Sequence, residues 1–357
     1  MSGLHFHPLR VADVQPEADD ATVVTFDVPP ELSASFRFTP GQYLTVRRPG
    51  QEPRRSYSIC AAAGERLRVG VRRVPGGAFS PWLTAELRPG DVLEAMEPQG
   101  RFGAAIERDA PRGRHVLAIA GGSGITPILS IVRTVLQREP ASRVTLLYGN
   151  RTAASTMFKE ELEDLKNRHL TRLAIHPVFS REVVDSPLAA GRLDADKLAL
   201  LLRLVGPHTV DEAFVCGPHA MNDEAEAALK AAGVAPGRIH VERFGIPPAQ
   251  SADVAHPVQE GDATTARIAI VRDGLTREVA FQPGDESILA AASRAGLDVP
   301  YSCRSGVCAT CRAKVLEGQV RMDRNFALEA DDLAAGFVLT CQAHPLSERV
   351  VVSFDER

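Results

Sequence analysis

Four cysteines near the C-terminus constrain this chain more than any other feature. They are Cys303, Cys308, Cys311 and Cys341. The first three follow a Cys-x4-Cys-x2-Cys pattern and the fourth comes later, which is the spacing of [2Fe–2S] ligation. Small residues between the first three let backbone N–H groups approach the sulfurs of a bound cluster. The pattern therefore predicts an electron carrier that handles one electron at a time.

Two other uses of four cysteines are possible. Structural zinc sites usually show two Cys-x2-4-Cys pairs, and only one such pair is present here, although zinc stays an alternative. Disulfides are disfavoured because the chain has 357 residues, six cysteines and no secretory signal pattern. Cys60 and Cys216 are not expected to be ligands, so Cys341 is the candidate for the fourth thiolate.

Bulk properties exclude several classes of protein. A length of 357 residues predicts two or three domains. The net charge of −4 gives no basic field for nucleic acid. The most apolar stretch, residues 115–136, is interrupted by three glycines and a proline, so no membrane span is expected. We expect a soluble cytoplasmic protein that binds neither nucleic acid nor membrane.

The pattern along the chain predicts a multidomain protein. Residues 1–110 contain short β-runs separated by Pro-Gly turns, which is typical of an antiparallel β-barrel. Residues 111–245 alternate strands and helices, which indicates a doubly wound α/β domain with a parallel sheet. Residues 246–264 lack periodic apolar positions and are interpreted as a linker. Residues 265–357 contain a hairpin, a helix and the cysteine loop.

A glycine-rich turn lies where the first strand of the α/β domain meets a helix. Its candidate binding residues are Gly121, Gly122, Gly124, Thr126 and Pro127. Glycines let a pyrophosphate approach the backbone, and the helix N-terminus stabilises its charge. The strict dinucleotide fingerprint fails, because Pro127 takes the place of its third glycine and no acid follows at the ribose distance. A tight turn without a ligand therefore stays an alternative.

Arginines at two strand ends bear on the choice of nucleotide. Arg151 and the pair Ser180-Arg181 each follow a predicted strand, and an arginine with a hydroxyl suits a 2′-phosphate. This favours NADPH over NADH, although Glu182 argues against it and solvated arginines are the alternative. At the end of the last strand, Cys216-Gly217-Pro218 would place a thiol at the ligand crevice, unless Cys216 is only a small buried hydrophobe.

A flavin is expected between nucleotide and cluster. A nicotinamide gives up two electrons together, whereas the cluster takes one, and a flavin can split the pair. Arg55 and Tyr57 lie on one face of a predicted strand and Ser58 on the other, so an arginine could hold pyrophosphate and a tyrosine could stack on a flavin ring. A second phosphate-binding turn is predicted at Gly76, Gly77 and Ser80, although an ordinary strand and turn would look the same.

With these motifs in place, the chain resembles the ferredoxin–NADP reductase superfamily with a plant-type ferredoxin domain of β-grasp fold fused at the C-terminus. The resemblance implies FAD, with Tyr57 stacked on the flavin and Ser58 hydrogen-bonded near its N5. It also implies that Cys216 lies near the nicotinamide C4 and that Ser180 and Arg181 hold the 2′-phosphate. Phe244 is a candidate to shield the flavin, although here the chain continues beyond it.

Residues around the cysteines, and Tyr148–Arg151, are similar to reductases that serve the diiron epoxidase of phenylacetyl-CoA catabolism. The resemblance implies an electron path from NADPH through FAD and the [2Fe–2S] cluster to that oxygenase component. Reductases of other diiron or Rieske oxygenases share the architecture and are an alternative. A redox-sensing binding module without turnover is an alternative of another class.

Overall fold

A computed structural model describes residues 5–110, 112–245, 256 and 258–356. The chain forms two compact units. The larger one consists of residues 7–53 and 57–244, and most of the smaller one follows Phe244. Among the described residues, no helix combines the length and apolar character needed to cross a membrane.

The first part of the chain forms a six-stranded sheet with the order β4-β3-β6-β1-β2-β5. Its elements are β1 (Phe6–Glu17), β2 (Ala21–Asp27), β3 (Tyr43–Arg47), β4 (Arg54–Ser58), β5 (Arg68–Arg72), α1 (Ser80–Glu86) and β6 (Val92–Met96). Directly after β4, Ile59 pairs antiparallel with Val69 of β5. The two edges therefore meet, and the predicted antiparallel barrel is confirmed. Its apolar centre includes Phe26 and Leu44, both buried.

The next part is a five-stranded parallel sheet with the order β11-β10-β7-β8-β9. Its elements are β7 (His115–Gly121), α2 (Ile125–Arg138), β8 (Arg143–Asn150), α3 (Lys159–Arg168), β9 (Leu173–Phe179), α4 (Ala195–Val205), β10 (Glu212–Gly217), α5 (His219–Ala231) and β11 (Ile239–Arg243). Every residue of β7 is buried, as expected for a central strand covered on both faces. The predicted doubly wound α/β domain is confirmed.

The smaller unit is built around a mixed sheet with the order β13-β12-β18-β14-β16. Its elements are β12 (Ala266–Arg272), β13 (Leu275–Phe281), α6 (Ile288–Arg294), β14 (Arg312–Glu317), β15 (Val320–Met322), α7 (Ala330–Ala334), β16 (Phe337–Leu339), β17 (Ala343–Pro345) and β18 (Arg349–Ser353). Asp273 and Gly274 both have positive φ, so the turn between β12 and β13 matches the twist of a tight hairpin. The predicted β-grasp domain is confirmed.

Much of the predicted linker, residues 246–255 and 257, lies outside the described residues. Its end is attached to the smaller unit, because the Ala263 N–H donates to the Pro345 carbonyl at 2.9 Å. Ala263 also packs against the apolar core of that unit. The domain boundaries drawn from the sequence stay predictions.

Candidate flavin, nucleotide and cluster sites

The glycine turn and the Cys-Gly-Pro segment meet at the carboxyl ends of two neighbouring strands, β7 and β10. A Cβ atom on Gly124 would lie 2.0 Å from the Cys216 carbonyl oxygen. A Cβ atom on Gly217 would lie 2.4 Å from Met221 Cε. Packing therefore requires Gly124, whatever ligand binds. At Gly217 the Met221 side chain can move aside, and the firm limit is the Gly121 backbone nitrogen, 3.0 Å from the added Cβ atom. Gly122 differs, because it is the member of the turn with a positive φ, +54°.

Thr126 and Pro127 at the start of α2 are both buried. The Thr126 hydroxyl donates to the Ser123 carbonyl at 3.0 Å and so holds the turn against the helix. Its methyl group faces Gly70 of β5, where a Cβ atom would lie 2.7 Å from Thr126 Cγ2. These residues shape the turn, and their contact with a nucleotide stays a prediction.

A carboxyl group that the sequence analysis missed lies between Ser58 and Cys216. In the parallel pairing of β10 with β11, Glu242 stands directly opposite Cys216. The Ser58 hydroxyl donates to Glu242 Oε2 at 3.4 Å. Glu242 keeps part of its surface accessible while its carboxyl is surrounded by protein, as expected for a group that lines a crevice. The structure thus places Glu242 beside both Ser58 and Cys216, the residues that the resemblance puts near the flavin N5 and the nicotinamide C4.

Electrostatics keep this trio uncharged near neutral pH. Burial raises the pKa of Glu242 to about 8, although the Ser58 hydroxyl partly opposes that rise. Burial also raises the pKa of the Cys216 thiol well above its ordinary value, and the neighbouring Glu242 adds to the effect. A neutral acid, a hydroxyl and a thiol can hold or pass a proton without introducing a charge beside a reacting ring.

Arg72 is a second residue that the sequence analysis missed. A Cβ atom on Gly122 would lie 3.0 Å from Arg72 Nη1, so the guanidinium stands against the glycine turn. Arg72 Nη2 donates to the Ser155 carbonyl at 2.5 Å, and Nε lies 2.9 Å from Asp20 Oδ1. A cation therefore stands where a pyrophosphate is expected. In the sequence it is one strand-terminal arginine among many, with no signal of its own.

The strand ends that bear Arg151, Ser180 and Arg181 are adjacent. The Ser180 N–H donates to the Asn150 carbonyl at 2.9 Å, and the Arg181 N–H donates to the Arg151 carbonyl at 2.8 Å. Both arginine side chains are exposed, and in the described part of the chain neither pairs with a carboxylate. Glu182 Oε2 instead accepts the Ala153 N–H at 2.6 Å. Its carboxylate thus has a local partner, which weakens it as an argument against a 2′-phosphate.

The proposed flavin residues lie on β4 and at the start of α1. Arg55 is exposed, Tyr57 is half-buried, and the Tyr57 ring centroid lies 6.3 Å from that of Phe79. The Ser80 hydroxyl accepts the Val74 N–H at 3.0 Å and so helps to hold the turn in its shape.

The turn itself has room for a ligand. Gly76 has φ +71° and open space at its Cβ position. An accessible turn beside a half-buried tyrosine fits a flavin with a phosphate tail. Phe244 keeps 38% of its surface exposed, and its shielding role stays a prediction.

The cysteine loop is built to hold anionic sulfur. The Ser305 N–H donates to Cys303 Sγ at 3.4 Å, and the Cys303 N–H donates to Cys308 Sγ at 3.5 Å. Left-handed backbone at Arg304, Gly306 and Ala309 turns these N–H groups inward.

The cysteine sulfurs also shift the pKa values of one another. The pKa of Cys308 is raised well above its ordinary value by its hydrogen bond with Cys303 and by burial. The pKa of Cys311 is raised in the same way by Cys341 and by burial. Four converging thiols cannot all ionise without a compensating cation, and two irons supply that charge. The donor set therefore fits a [2Fe–2S] cluster, with Cys60 excluded because it is buried in the larger unit.

Comparisons with known proteins agree with this architecture. The family of 2Fe-2S iron-sulfur cluster binding domains matches residues 270–346, and the oxidoreductase NAD-binding domain matches residues 118–227. The chain is 48% identical over 357 residues to one of the subunits of 1,2-phenylacetyl-CoA epoxidase from Escherichia coli (strain K12), covering 99% of this chain and 98% of that protein.

Two further proteins extend the comparison. The ferredoxin reductase component of 3-ketosteroid-9-alpha-monooxygenase from Mycolicibacterium smegmatis is 36% identical, covering 99% of this chain and 98% of that protein. The solved structure of phthalate dioxygenase reductase, described as a modular structure for electron transfer from pyridine nucleotides to [2Fe–2S], aligns with a TM-score of 0.60 and 25% identity. The alignment covers 98% of both chains.

Fold and sites together define an oxidoreductase that moves electrons from a pyridine nucleotide to an iron–sulfur cluster. More specifically, the chain belongs to the family of reductase components of multicomponent oxygenases, in which a ferredoxin–NADP reductase module is fused to a plant-type ferredoxin domain. The predicted family, the enzyme class and a cofactor set of flavin, [2Fe–2S] and pyridine nucleotide are thereby confirmed.

Proposed function

We propose that this chain is the NADPH-dependent reductase that supplies electrons to the diiron epoxidase of phenylacetyl-CoA catabolism. The observation that carries the proposal is the 48% identity, along 99% of the chain, to a 1,2-phenylacetyl-CoA epoxidase subunit. The similarity includes both units, so it extends to the cluster domain that would contact an acceptor. The oxygenase component is accordingly the proposed partner.

Each cofactor has its own set of residues in this proposal. When bound, FAD exchanges an electron pair with the nicotinamide and single electrons with the cluster. Tyr57 would pack against the flavin ring, Arg55 would pair with its pyrophosphate, and the turn at Gly76 and Gly77 would give space for the phosphates. The cluster is held by the thiolates of Cys303, Cys308, Cys311 and Cys341.

The trio of Ser58, Glu242 and Cys216 orients the reacting rings and holds a proton beside them. The Ser58 hydroxyl can donate to the flavin N5 or to Glu242 Oε2, which lies 3.4 Å from it. The raised pKa of Glu242, caused by burial, keeps a proton on that carboxyl at pH 7. The neutral Cys216 thiol would lie near the nicotinamide C4 and would add no charge that disturbs the transfer.

Two sets of residues recognise opposite ends of the nucleotide. Arg72 and Gly122 form the pyrophosphate end, where the cation lies against the turn. Arg151, Ser180 and Arg181 form the adenosine end, where two exposed guanidiniums on adjacent strand ends suit a 2′-phosphate and favour NADPH over NADH.

We place the protein in the cytoplasm. All six cysteines are free in the structure. The reducing cytoplasm keeps cysteines as the thiols that iron binding needs.

Reconstitution with candidate oxygenase components tests the proposal. The purified reductase is combined with the diiron epoxidase complex, and NADPH consumption is measured together with loss of phenylacetyl-CoA. We expect the two to be coupled, and expect no coupling when the reductase is left out. Rapid NADPH oxidation with cytochrome c but none coupled to phenylacetyl-CoA would keep the reductase class and overturn the acceptor.

The reductase of another diiron or Rieske oxygenase is the second candidate, because the chain is also 36% identical to the ferredoxin reductase component of a 3-ketosteroid-9-alpha-monooxygenase. The same assay with that monooxygenase and a 3-ketosteroid distinguishes the two, because only the true acceptor should couple NADPH oxidation to substrate loss. Failure of NADPH oxidation with every acceptor, with FAD and cluster both bound, would instead favour a redox-sensing module.

A further inference from the structure

A glutamine with no role in the proposed electron path follows the fourth cluster cysteine directly. Gln342 has none of its surface exposed to solvent. Its Nε2 lies 3.7 Å from Cys341 Sγ. The same nitrogen donates one N–H to the Arg304 carbonyl at 3.1 Å, and its other N–H is shared between the Cys341 carbonyl at 2.9 Å and the Cys341 sulfur. One side-chain amide thus contacts both the fourth ligand and the loop that carries the other three.

The loop is shaped around this side chain. Arg304 takes a left-handed φ of 56°, which costs a non-glycine residue free energy and needs support from its surroundings. The carbonyl of that residue is the one that accepts from Gln342 Nε2. Two residues on, a Cβ atom on Gly306 would lie 3.1 Å from Gln342 Cγ, so the loop passes close against the glutamine.

The backbone of Gln342 is held in place by a hydrogen bond from Asp323. Its carbonyl accepts the Asp323 N–H at 3.0 Å. Asp323 Oδ2 in turn lies 2.5 Å from His256 Nδ1 and 2.8 Å from His344 Nε2, while Arg321 donates to Oδ1. The two histidines and the aspartate could be taken for a metal site. The guanidinium on the same carboxylate disfavours a cation there, so we interpret the group as a hydrogen-bonded frame.

We infer that Gln342 is a positioning residue that directs an N–H donor at the Cys341 sulfur and locks the cluster-binding loop to it. A donor aimed at a ligating sulfur stabilises the additional negative charge of the reduced cluster and so raises its reduction potential. The inference rests on the proposed [2Fe–2S] cluster and is independent of which oxygenase accepts the electrons.

Substitution of Gln342 by methionine tests the inference, because methionine keeps the length of the side chain and removes both N–H donors. A redox titration followed by EPR gives the potential of the cluster. We expect the equilibrium constant for cluster reduction to fall about tenfold, which is ~59 mV for one electron. Flavin reduction by NADPH should be unchanged. Gln319→Met is the matched control, since Gln319 is exposed in the turn between β14 and β15, and it should leave the potential unchanged.

A second measurement does not depend on the variant keeping its cluster. The unaltered protein is prepared with glutamine labelled with 15N in the side-chain amide, and the reduced cluster is studied by pulsed EPR. We expect a weak coupling to a labelled nitrogen. Absence of that coupling, or an unchanged potential in Gln342→Met, would overturn the inference. An unaltered protein without any [2Fe–2S] signal would overturn the proposed function instead.

Discussion

Cysteine serves opposite purposes in the two units of the molecule. In the larger unit, Cys216 is fully buried among apolar side chains, and burial holds the pKa of its thiol well above the ordinary value. In the smaller unit, four thiols converge, and the backbone N–H groups of Ser305 and Cys303 donate to the sulfurs of Cys303 and Cys308. The surroundings, and not the residue type, decide whether a thiol is a neutral packing group or a metal ligand.

The difference extends to the polar groups nearby. Around Cys216, the neutral carboxyl of Glu242 and the hydroxyl of Ser58 come together from separate strands. Around the cluster cysteines, backbone N–H groups and the Gln342 amide point toward sulfur. The first arrangement suits reactions in which an electron pair moves with a proton, and the second suits addition of one electron to an anionic group.

The largest effect is expected from removing a cluster ligand. Cys341→Ser should abolish [2Fe–2S] binding, seen as loss of bound iron and of the visible absorption of the cluster, because one of four convergent thiolates is gone. Flavin reduction by NADPH should persist. Cys60→Ala is the control, since Cys60 is a buried cysteine of the larger unit, and it should keep the cluster. Full iron content in Cys341→Ser would show that another group is the fourth ligand.

The next largest effect is expected from removing the thiol of Cys216. Cys216→Ala should slow flavin reduction by NADPH by about 100-fold, because a small shift of the nicotinamide relative to the flavin weakens a reaction that depends on close approach. Stopped-flow absorbance measures the rate, and the cluster spectrum should not change. A rate equal to that of the unaltered protein would reduce Cys216 to a packing residue.

A pH-dependent effect is expected at Glu242. Its folded-state pKa is raised from 4.5 to about 8 by burial. Between these values the folded protein holds a proton that the unfolded chain has lost, so the free energy of unfolding falls as pH rises, by up to about 1.4 kcal/mol per pH unit. Urea unfolding at pH 5 and pH 8 should show this decline to be smaller in Glu242→Gln. Equal declines in both proteins would mean that the carboxyl ionises normally.

The smallest effect is expected at the edge of the nucleotide site. Arg181→Ala should raise the KM for NADPH about tenfold and leave that for NADH unchanged, because a charge-assisted hydrogen bond to the 2′-phosphate is lost. Steady-state kinetics with both nucleotides provide the measurement. Arg168→Ala, at an exposed arginine near the end of α3, is the control. An equal change for both nucleotides would remove Arg181 from the site.

Local patterns were enough to predict the three folds and most of the candidate residues. The cysteine spacing, the glycine turn and the Arg-x-Tyr-Ser strand are short segments whose chemistry is contained within a few residues. The turn at Asp273-Gly274 and the end of α6 before Gly296, which has φ +73°, follow from the same local rules.

Glu242 and Arg72 could not be found in this way. Glu242 lies 26 positions after Cys216 and becomes its neighbour only because β11 pairs in parallel with β10. Arg72 belongs to the barrel, yet it contacts the turn of the α/β domain. Both contacts depend on strand pairing and domain packing across long sequence distances. For the same reason the sequence did not show which glycines are required by packing and which leave room for a ligand.

An anaerobic titration with NADPH, followed by visible absorbance and EPR, tests the central claim most directly. The claim is that the larger unit collects electrons from NADPH and the smaller unit receives them singly. The unaltered protein should lose flavin absorbance and gain the EPR signal of a reduced [2Fe–2S] cluster, whereas Cys341→Ser should show only the flavin change. A fully reduced flavin beside a cluster that stays oxidised throughout would contradict the claim.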